Sequence, residues 1–140
     1  MAPPLRLKAI DREDLAIIAA CLQDALVLVG DMAYQAETQQ FILVANRFSW
    51  EAARPGDTEL ARVTCGITFG LVTAVRKRGF DLSDNDRILS LLTVQPTETA
   101  IDLIFSGDAV IRLEAAQILC RIEDVSEPWP TQWRPSHGVG

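Results

Sequence analysis

The stretch that most constrains the fold is a run of alternating residues in the middle of the chain. Bulky apolar side chains occupy every second position, and small or polar side chains lie between them. The apolar set is Val63, Cys65, Ile67, Phe69, Leu71 and Val75, interrupted only by Thr73. Successive side chains of a β-strand point to opposite faces, so this spacing predicts a strand over 63–75 with one buried face. The rest of the chain must cover that face.

One amphipathic helix is predicted near the N-terminus. Asp11 is a favourable N-cap, and the acids at positions 13 and 14 suit the positive end of a helix dipole. Beyond them, apolar residues recur at i, i+3, i+4 and i+7, namely Leu15, Ile18, Ala19 and Leu22. This spacing predicts about three turns of helix with one apolar face.

The other apolar runs have a period of two, which predicts strands. They are a short edge strand in 5–8, a central hairpin from 26–34 to 41–45, and runs over Ile88–Gln95, Ala100–Ser106 and Ala109–Leu113. Gly107 and Asp108 predict a two-residue hairpin turn. The segment Ala115–Val125 fits both a helix and a strand, and the preceding meander favours a strand.

Together these elements predict an α+β fold with one N-terminal amphipathic helix. The helix would pack on a mostly antiparallel β-sheet, or a partly closed barrel, of about seven strands. A chain of 140 residues is a normal length for one domain, which we place at 1–127. Residues 128–140 contain three prolines and two tryptophans, and we expect this tail to dock on the domain or on a neighbouring subunit, because exposed tryptophans are costly.

Charge and cysteine content narrow the function classes. The formal net charge of −6 works against non-specific binding to nucleic acid or anionic lipid. Cys21, Cys65 and Cys120 are odd in number and widely spaced, which indicates a reducing cytoplasm and not a disulfide framework or zinc site. The longest uncharged run, Val63–Val75, is too short to span a membrane as a helix.

The sequence offers few catalytic residues. Its one histidine, His137, lies near the C-terminus among Pro, Ser and Gly, and no nucleotide-binding, metalloprotease or hydrolase motif occurs. The acids Asp81, Asp84 and Asp86 lack the spacing of an EF-hand loop and are typical of a solvated turn. We therefore expect no enzyme, no metal and no cofactor. Gly66 and Gly70 predict a bulge or a close backbone approach within the central strand.

One basic cluster, Arg76-Lys77-Arg78, is the candidate binding site. Arg76 and Arg78 share a face of a strand, Arg47 could join them if the strands pair, and Trp50 could form an apolar wall. Guanidinium groups suit carboxylates and phosphates, whereas the simpler interpretation is a charged strand end that prevents edge pairing. We expect a non-catalytic, self-associating binding or scaffolding domain whose partners are copies of itself in a homo-oligomer. The alternative is a domain that binds a small anion through the arginines.

Several blocks of the sequence, taken together, resemble an uncharacterised bacterial family found chiefly in alphaproteobacteria, the domain-of-unknown-function family 2948. The blocks include Leu5-Arg6-Leu7-Lys8-Ala9, Gln23-Asp24-Ala25, Asn46-Arg47-Phe48-Ser49-Trp50-Glu51, Ala74-Val75-Arg76, Ile111-Arg112-Leu113-Glu114 and Arg134-Pro135-Ser136-His137. The chain departs from the family pattern at Thr64-Cys65-Gly66, where the family is expected to have more basic residues leading into the strand. The resemblance implies a stand-alone bacterial domain and supplies no activity, cofactor or catalytic residue.

Overall fold

The computed structural model describes residues 5–49, 61–81, 83–126 and 129–130. These residues form eleven strands, the helix α1 (Arg12–Cys21) and a 3₁₀ turn at Val29–Asp31. The strands are β1 (Arg6–Ala9), β2 (Ala25–Leu28), β3 (Ala33–Gln35), β4 (Gln40–Ser49), β5 (Ala61–Phe69), β6 (Ala74–Arg78), β7 (Ile88–Pro96), β8 (Ala100–Phe105), β9 (Val110–Glu114), β10 (Cys120–Asp124) and β11 (Trp129–Pro130).

All eleven strands belong to one antiparallel sheet. Its order is β1-β10-β5-β4-β2-β7-β8-β9-β6, with β3 paired to β4 and β11 paired to β5. The predicted α+β class, with a mostly antiparallel sheet and one helix, is confirmed. The predicted number of about seven strands is wrong, and so is barrel closure: in the described part of the chain, the outermost strands β1 and β6 do not pair with each other.

The strand count differs from the prediction because the central alternation breaks after Phe69. β5 lies between β4 and β10, and its Val63, Cys65, Ile67 and Phe69 are buried as predicted. Leu71 then adopts a left-handed backbone with φ of 60° and is 41% exposed. The chain therefore leaves the sheet at residues 70–73 and returns as the separate edge strand β6.

The central hairpin is also divided. β2 and β4 pair antiparallel, as the sequence predicts, but the 3₁₀ turn at Val29–Asp31 separates β2 from β3. β3 continues alongside β4 on its own. One predicted run therefore contributes two strands, which accounts for a further part of the higher count.

The helix begins and ends close to its predicted limits. Asp11 is the N-cap, and its Oδ1 accepts a hydrogen bond of 2.8 Å from the Asp14 N–H. Leu15, Ile18 and Leu22 are buried, so the predicted apolar face is the one that packs. The helix contacts both β1 and β7, which lie far apart in the sheet order, so the sheet curves around a common core.

The meander formed by β7, β8 and β9 confirms three predicted strands, but its second turn is one residue longer than predicted. The Phe105 N–H donates to the Ala109 carbonyl at 2.9 Å, which leaves Ser106, Gly107 and Asp108 in the loop. Gly107 and Asp108 both have positive φ. The ambiguous segment forms a strand at Cys120–Asp124, as favoured, and irregular structure before it.

The start of the tail pairs with the sheet, since Trp129 and Pro130 lie opposite Arg62 and Ala61 of β5. Residues 131–140 lie outside the described residues, as does His137, so docking of the whole tail and the boundary at residue 127 stay predictions. No helix in the described ranges is long and apolar enough to cross a membrane.

Candidate functional site

Two of the predicted binding residues share one surface. Arg76 and Arg78 both lie on β6, two positions apart, so their side chains emerge on the same face of the sheet. Arg47 lies on β4, and the strands β2, β7, β8 and β9 separate it from β6 in the sheet order. Arg47 would join the cluster only if β4 paired with β6, and these two strands do not pair. Trp50 lies outside the described residues.

The face with Arg76 and Arg78 has a depression of about 300 Å³. We call this surface the arginine depression. It is lined by Arg76, Lys77, Arg78, Asp102, Ile104, Val110 and Arg112. The opposite face of the same strands points to the core, because Leu103, Ile111 and Leu113 are fully buried. The alternation of β8 and β9 thus places their polar residues on the outer face.

Strand register brings these side chains together in two rows across β6, β9 and β8. In the first row Arg76 lies opposite Arg112, and Arg112 lies opposite Asp102. In the second row Arg78 lies opposite Val110, which lies opposite Ile104. Directly opposed residues have Cβ atoms about 4.5–5.5 Å apart, so each row is a continuous strip of contacting side chains. One row is charged and the other combines a cation with an apolar floor.

Carboxylates position two of the arginines. Asp102 is 9% exposed and binds Arg112 through two hydrogen bonds, Nε to Oδ1 at 2.8 Å and Nη2 to Oδ2 at 2.9 Å. The hydrogen bond to Asp102 raises the pKa of Arg112 above its usual value. Arg76 donates from Nε to Glu114 Oε1 at 2.8 Å. Because a guanidinium has five N–H donors, both arginines keep donors for a further partner.

Arg78 has no ion-pair or hydrogen-bond partner in the described ranges, and its side chain is exposed. Lys77 is adjacent, and its amine donates to the Phe80 carbonyl at 3.3 Å. The outer face carries three arginines, Arg76, Arg78 and Arg112, and two carboxylates, Asp102 and Glu114. The surface is therefore positive by one charge on a chain whose formal net charge is −6.

Arg47 has a structural partner in the core. Its side chain is completely buried, and it binds Asp124 through Nη2–Oδ2 at 2.7 Å and Nε–Oδ1 at 3.0 Å. Its Nη1 also donates to the Phe48 carbonyl at 3.0 Å. A guanidinium enclosed in this way is inaccessible to a ligand from solution.

Cys65 and Cys120 are unreactive groups of the core. Burial raises the pKa of each thiol from 9.0 to about 12, so both stay protonated at neutral pH. No group of three or more His, Cys, Asp or Glu side chains is placed to hold a metal ion in the described ranges. In the acidic turn, the Asp81 carboxylate accepts from the Ser83 N–H at 3.0 Å, and this hydrogen bond lowers the pKa of Asp81.

Sequence reasoning did not identify Arg112 or Asp102 as site residues. A signal was present, because both lie at polar positions of alternating strands that were expected to pair. Their direct opposition depends on the register of the β8–β9 hairpin, and a two-residue turn would have set Asp102 opposite Leu113 instead.

Comparison with known proteins adds one finding. The model of the family described as "Protein of unknown function (DUF2948)" matches residues 5–137. No curated protein and no solved structure matches the chain.

Proposed function

The chain belongs to the DUF2948 family of proteins of unknown function, and we propose that it is a non-catalytic binding domain for a small anion. The ligand would occupy the arginine depression, with its carboxylate or phosphate between Arg78, Arg76 and Arg112. The observation that carries the proposal is the combination of an exposed Arg78, which has no partner among the described residues, with Arg112, whose fork is held by two hydrogen bonds to Asp102, and Arg76, which pairs with Glu114.

Fixed guanidinium groups favour binding because little side-chain entropy remains to be lost. Arg112 cannot swing freely while both of its hydrogen bonds to the buried Asp102 are kept. Arg78 supplies a charge that no carboxylate of the described chain neutralises. Carboxylates and phosphates match such forks, since two oxygens of either group can accept parallel N–H bonds from one guanidinium.

The apolar floor indicates what else the ligand carries. Ile104 and Val110 lie beside Arg78 in the second row, and both are partly exposed. An anion with a short alkyl or aromatic group could rest that group on the two side chains while its charged end reaches the arginines. Inorganic phosphate would use the charged part of the surface alone.

The described lining holds few groups that could act as a nucleophile or general base, which supports a binding role over catalysis. It contains no Ser, Cys or His, its one carboxylate, Asp102, is bound by Arg112, and its one amine, that of Lys77, donates to the Phe80 carbonyl. General acid–base and nucleophilic mechanisms need such a group within hydrogen-bond reach of the substrate.

A thermal-shift titration tests the proposal. Inorganic phosphate, succinate and benzoate would be added separately at constant ionic strength, because added salt alone screens surface charges. A ligand present at about 100 times its dissociation constant stabilises the folded state by roughly 2.7 kcal/mol. We expect at least one of the three anions to raise the melting temperature, and Arg78→Ala to remove most of that shift.

Arg121→Ala is the matched control, since Arg121 is an exposed strand arginine on β10, away from the depression. It should leave the shift unchanged. If none of the anions stabilises the wild type, or if the two variants respond alike, the proposed site is not an anion site.

The simpler interpretation of the same cations has its own structural support. β6 is the last strand of the sheet, and exposed Arg and Lys side chains there discourage pairing with another strand. That role predicts that Arg78→Ala increases aggregation and leaves any anion-dependent shift in place. Light scattering recorded beside the thermal shift therefore separates the two roles.

A further inference from the structure

A second surface, on a different part of the molecule, has no role in the proposed anion site. It is a hollow of about 490 Å³ between the start of α1, the loop after β5, the β7–β8 turn and the segment before β10. We call it the Leu71 hollow. The lining residues used below are Ile10, Arg12, Leu71, Glu98, Ile118 and Leu119.

Leu71 combines two unfavourable features. Its φ of 60° is a left-handed conformation that is strained for a residue with a Cβ. Its side chain is nevertheless 41% exposed. The conformation is fixed from both sides, because the Gly70 N–H donates to the Leu119 carbonyl and the Val72 N–H donates to the Gln39 carbonyl, each at 2.8 Å.

A glycine at this position would avoid the strain, and a polar side chain would avoid the exposure. Strain that the surroundings hold in place is typical of positions with a function. Ile10, on the same rim, is 64% exposed. Two large apolar side chains thus project beside a hollow with an apolar floor that includes Ile118 and Leu119.

The charges of the rim identify the occupant. Arg12 and Glu98 are both exposed, and neither has an ion-pair partner in the described ranges. The rim also carries Asp11, which caps α1 by accepting a hydrogen bond from the Asp14 N–H, so the charges left for a partner are those of Arg12 and Glu98. One available charge of each sign, beside a projecting group and a hollow, allows two copies to pair across a two-fold axis. Across a two-fold axis, Arg12 of each copy could meet Glu98 of the other while the apolar side chains enter the facing hollow.

We propose that the Leu71 hollow is the face through which two copies of this chain form a symmetric dimer. The contact involves neither charged sheet edge. Arg6 and Lys8 lie on β1, and Arg76, Lys77 and Arg78 lie on β6, so both outermost strands carry cations that oppose edge-to-edge pairing. Pairing of Arg12 with Glu98 also neutralises charge locally between two chains of net charge −6.

Sedimentation equilibrium over a range of concentrations tests the dimer. The wild type should show a monomer–dimer equilibrium, and Leu71→Gly should be monomeric. Leu71→Gly also relieves the left-handed strain, so its unfolding midpoint in dilute solution should equal or exceed that of the wild type. Loss of association in this variant therefore cannot be assigned to loss of folding.

Charge reversal gives a second and independent test. Arg12→Glu alone and Glu98→Arg alone each place like charges opposite one another twice in the dimer, and each should weaken association by roughly tenfold. An equimolar mixture of the two variants should regain wild-type association, because every contact in the mixed dimer joins opposite charges. Rescue by mixing requires that the charges meet between chains.

Three results would overturn the proposal. One is a wild type that stays monomeric at every concentration, even if a small apolar compound binds the hollow. Another is a dimer that persists in Leu71→Gly with unchanged affinity, which would place the interface elsewhere. The third is failure of the mixture to associate more tightly than either charge variant alone.

Discussion

Arg47 and Asp124 lie 77 residues apart in sequence and form a doubly hydrogen-bonded ion pair inside the protein. The side chains are 0% and 5% exposed, respectively. Asp124 Oδ2 also accepts from the Leu5 N–H at 2.8 Å, so one carboxylate connects β4, β10 and the start of β1. The pair stands where the sequence suggested a ligand-binding arginine, and its role is to join three strands.

Removal of the carboxylate from this pair should be severe. Asp124→Ala leaves the Arg47 guanidinium buried without its counterion, which typically costs about 3–5 kcal/mol of unfolding free energy. The free energy would be measured by urea unfolding of both proteins. The adjacent, exposed pair of Arg6 and Glu123 is the control, with side chains that are 79% and 54% exposed. Glu123→Ala should cost less than about 1 kcal/mol. Equal losses in the two variants would contradict the buried role of Asp124.

The buried thiols should make the protein sensitive to alkali. Burial raises the folded-state pKa of Cys65 and Cys120 to about 12, from 9.0. Below pH 9 both states are protonated and the stability is fully present. Above pH 9 the unfolded chain loses protons that the folded chain keeps, so stability falls as pH rises toward 12.

Each thiol should therefore contribute a loss of about 1.4 kcal/mol between pH 8 and pH 10. Tyrosine and lysine also titrate in this range, so the useful quantity is the difference between two proteins. Urea unfolding of the wild type and of Cys65→Ala/Cys120→Ala at both pH values should give a smaller pH-dependent loss for the double variant. Identical losses would show that the thiols ionise equally in both states.

Two glycines should respond to the same substitution with opposite signs. An added Cβ at Gly66 meets no atom within 4 Å, so Gly66→Ala should stabilise β5 by about 0.5–1 kcal/mol. Gly79 has φ of 88°, and a Cβ there would lie 2.5 Å from the Asp108 carbonyl oxygen. Gly79→Ala should cost about 2 kcal/mol or more. Shifts of the urea midpoint measure both effects, and a stabilising Gly79→Ala would contradict the described turn.

Alternation was sufficient to predict the fold class, because burial on one face leaves a direct record in the sequence. Val63, Cys65, Ile67 and Phe69 show it along β5. The break at Leu71 left no such record. Its conformation is imposed by its two chain neighbours, because the Gly70 N–H donates to the Leu119 carbonyl and the Val72 N–H donates to the Gln39 carbonyl. Both acceptors are distant in sequence. The strand count was wrong for the same reason.

The candidate site was predictable only in part. Arg76 and Arg78 share a face at any register, so their proximity followed from spacing alone. Arg47 occupies the same parity as the buried Leu43 and Ala45 of β4, but Ile42 and Val44 make the other parity apolar as well, so the sequence did not show which face is inward. The contribution of Asp102 depends on the length of one hairpin loop, and a change of one residue in that loop reverses which side chains oppose each other.

The balance of charge in the arginine depression gives the last prediction. Asp102→Asn keeps the size of the side chain and removes the negative charge that occupies Arg112. A unit charge at about 4 Å contributes roughly 1 kcal/mol in water, which corresponds to about fivefold in affinity. An anion that stabilises the wild type should therefore bind this variant about fivefold more tightly, as measured by isothermal titration calorimetry. Glu123→Gln, which removes an exposed carboxylate from β10, serves as the control for net charge. Weaker binding to Asp102→Asn would show that Asp102 contributes by orienting Arg112, and that this orientation outweighs its charge.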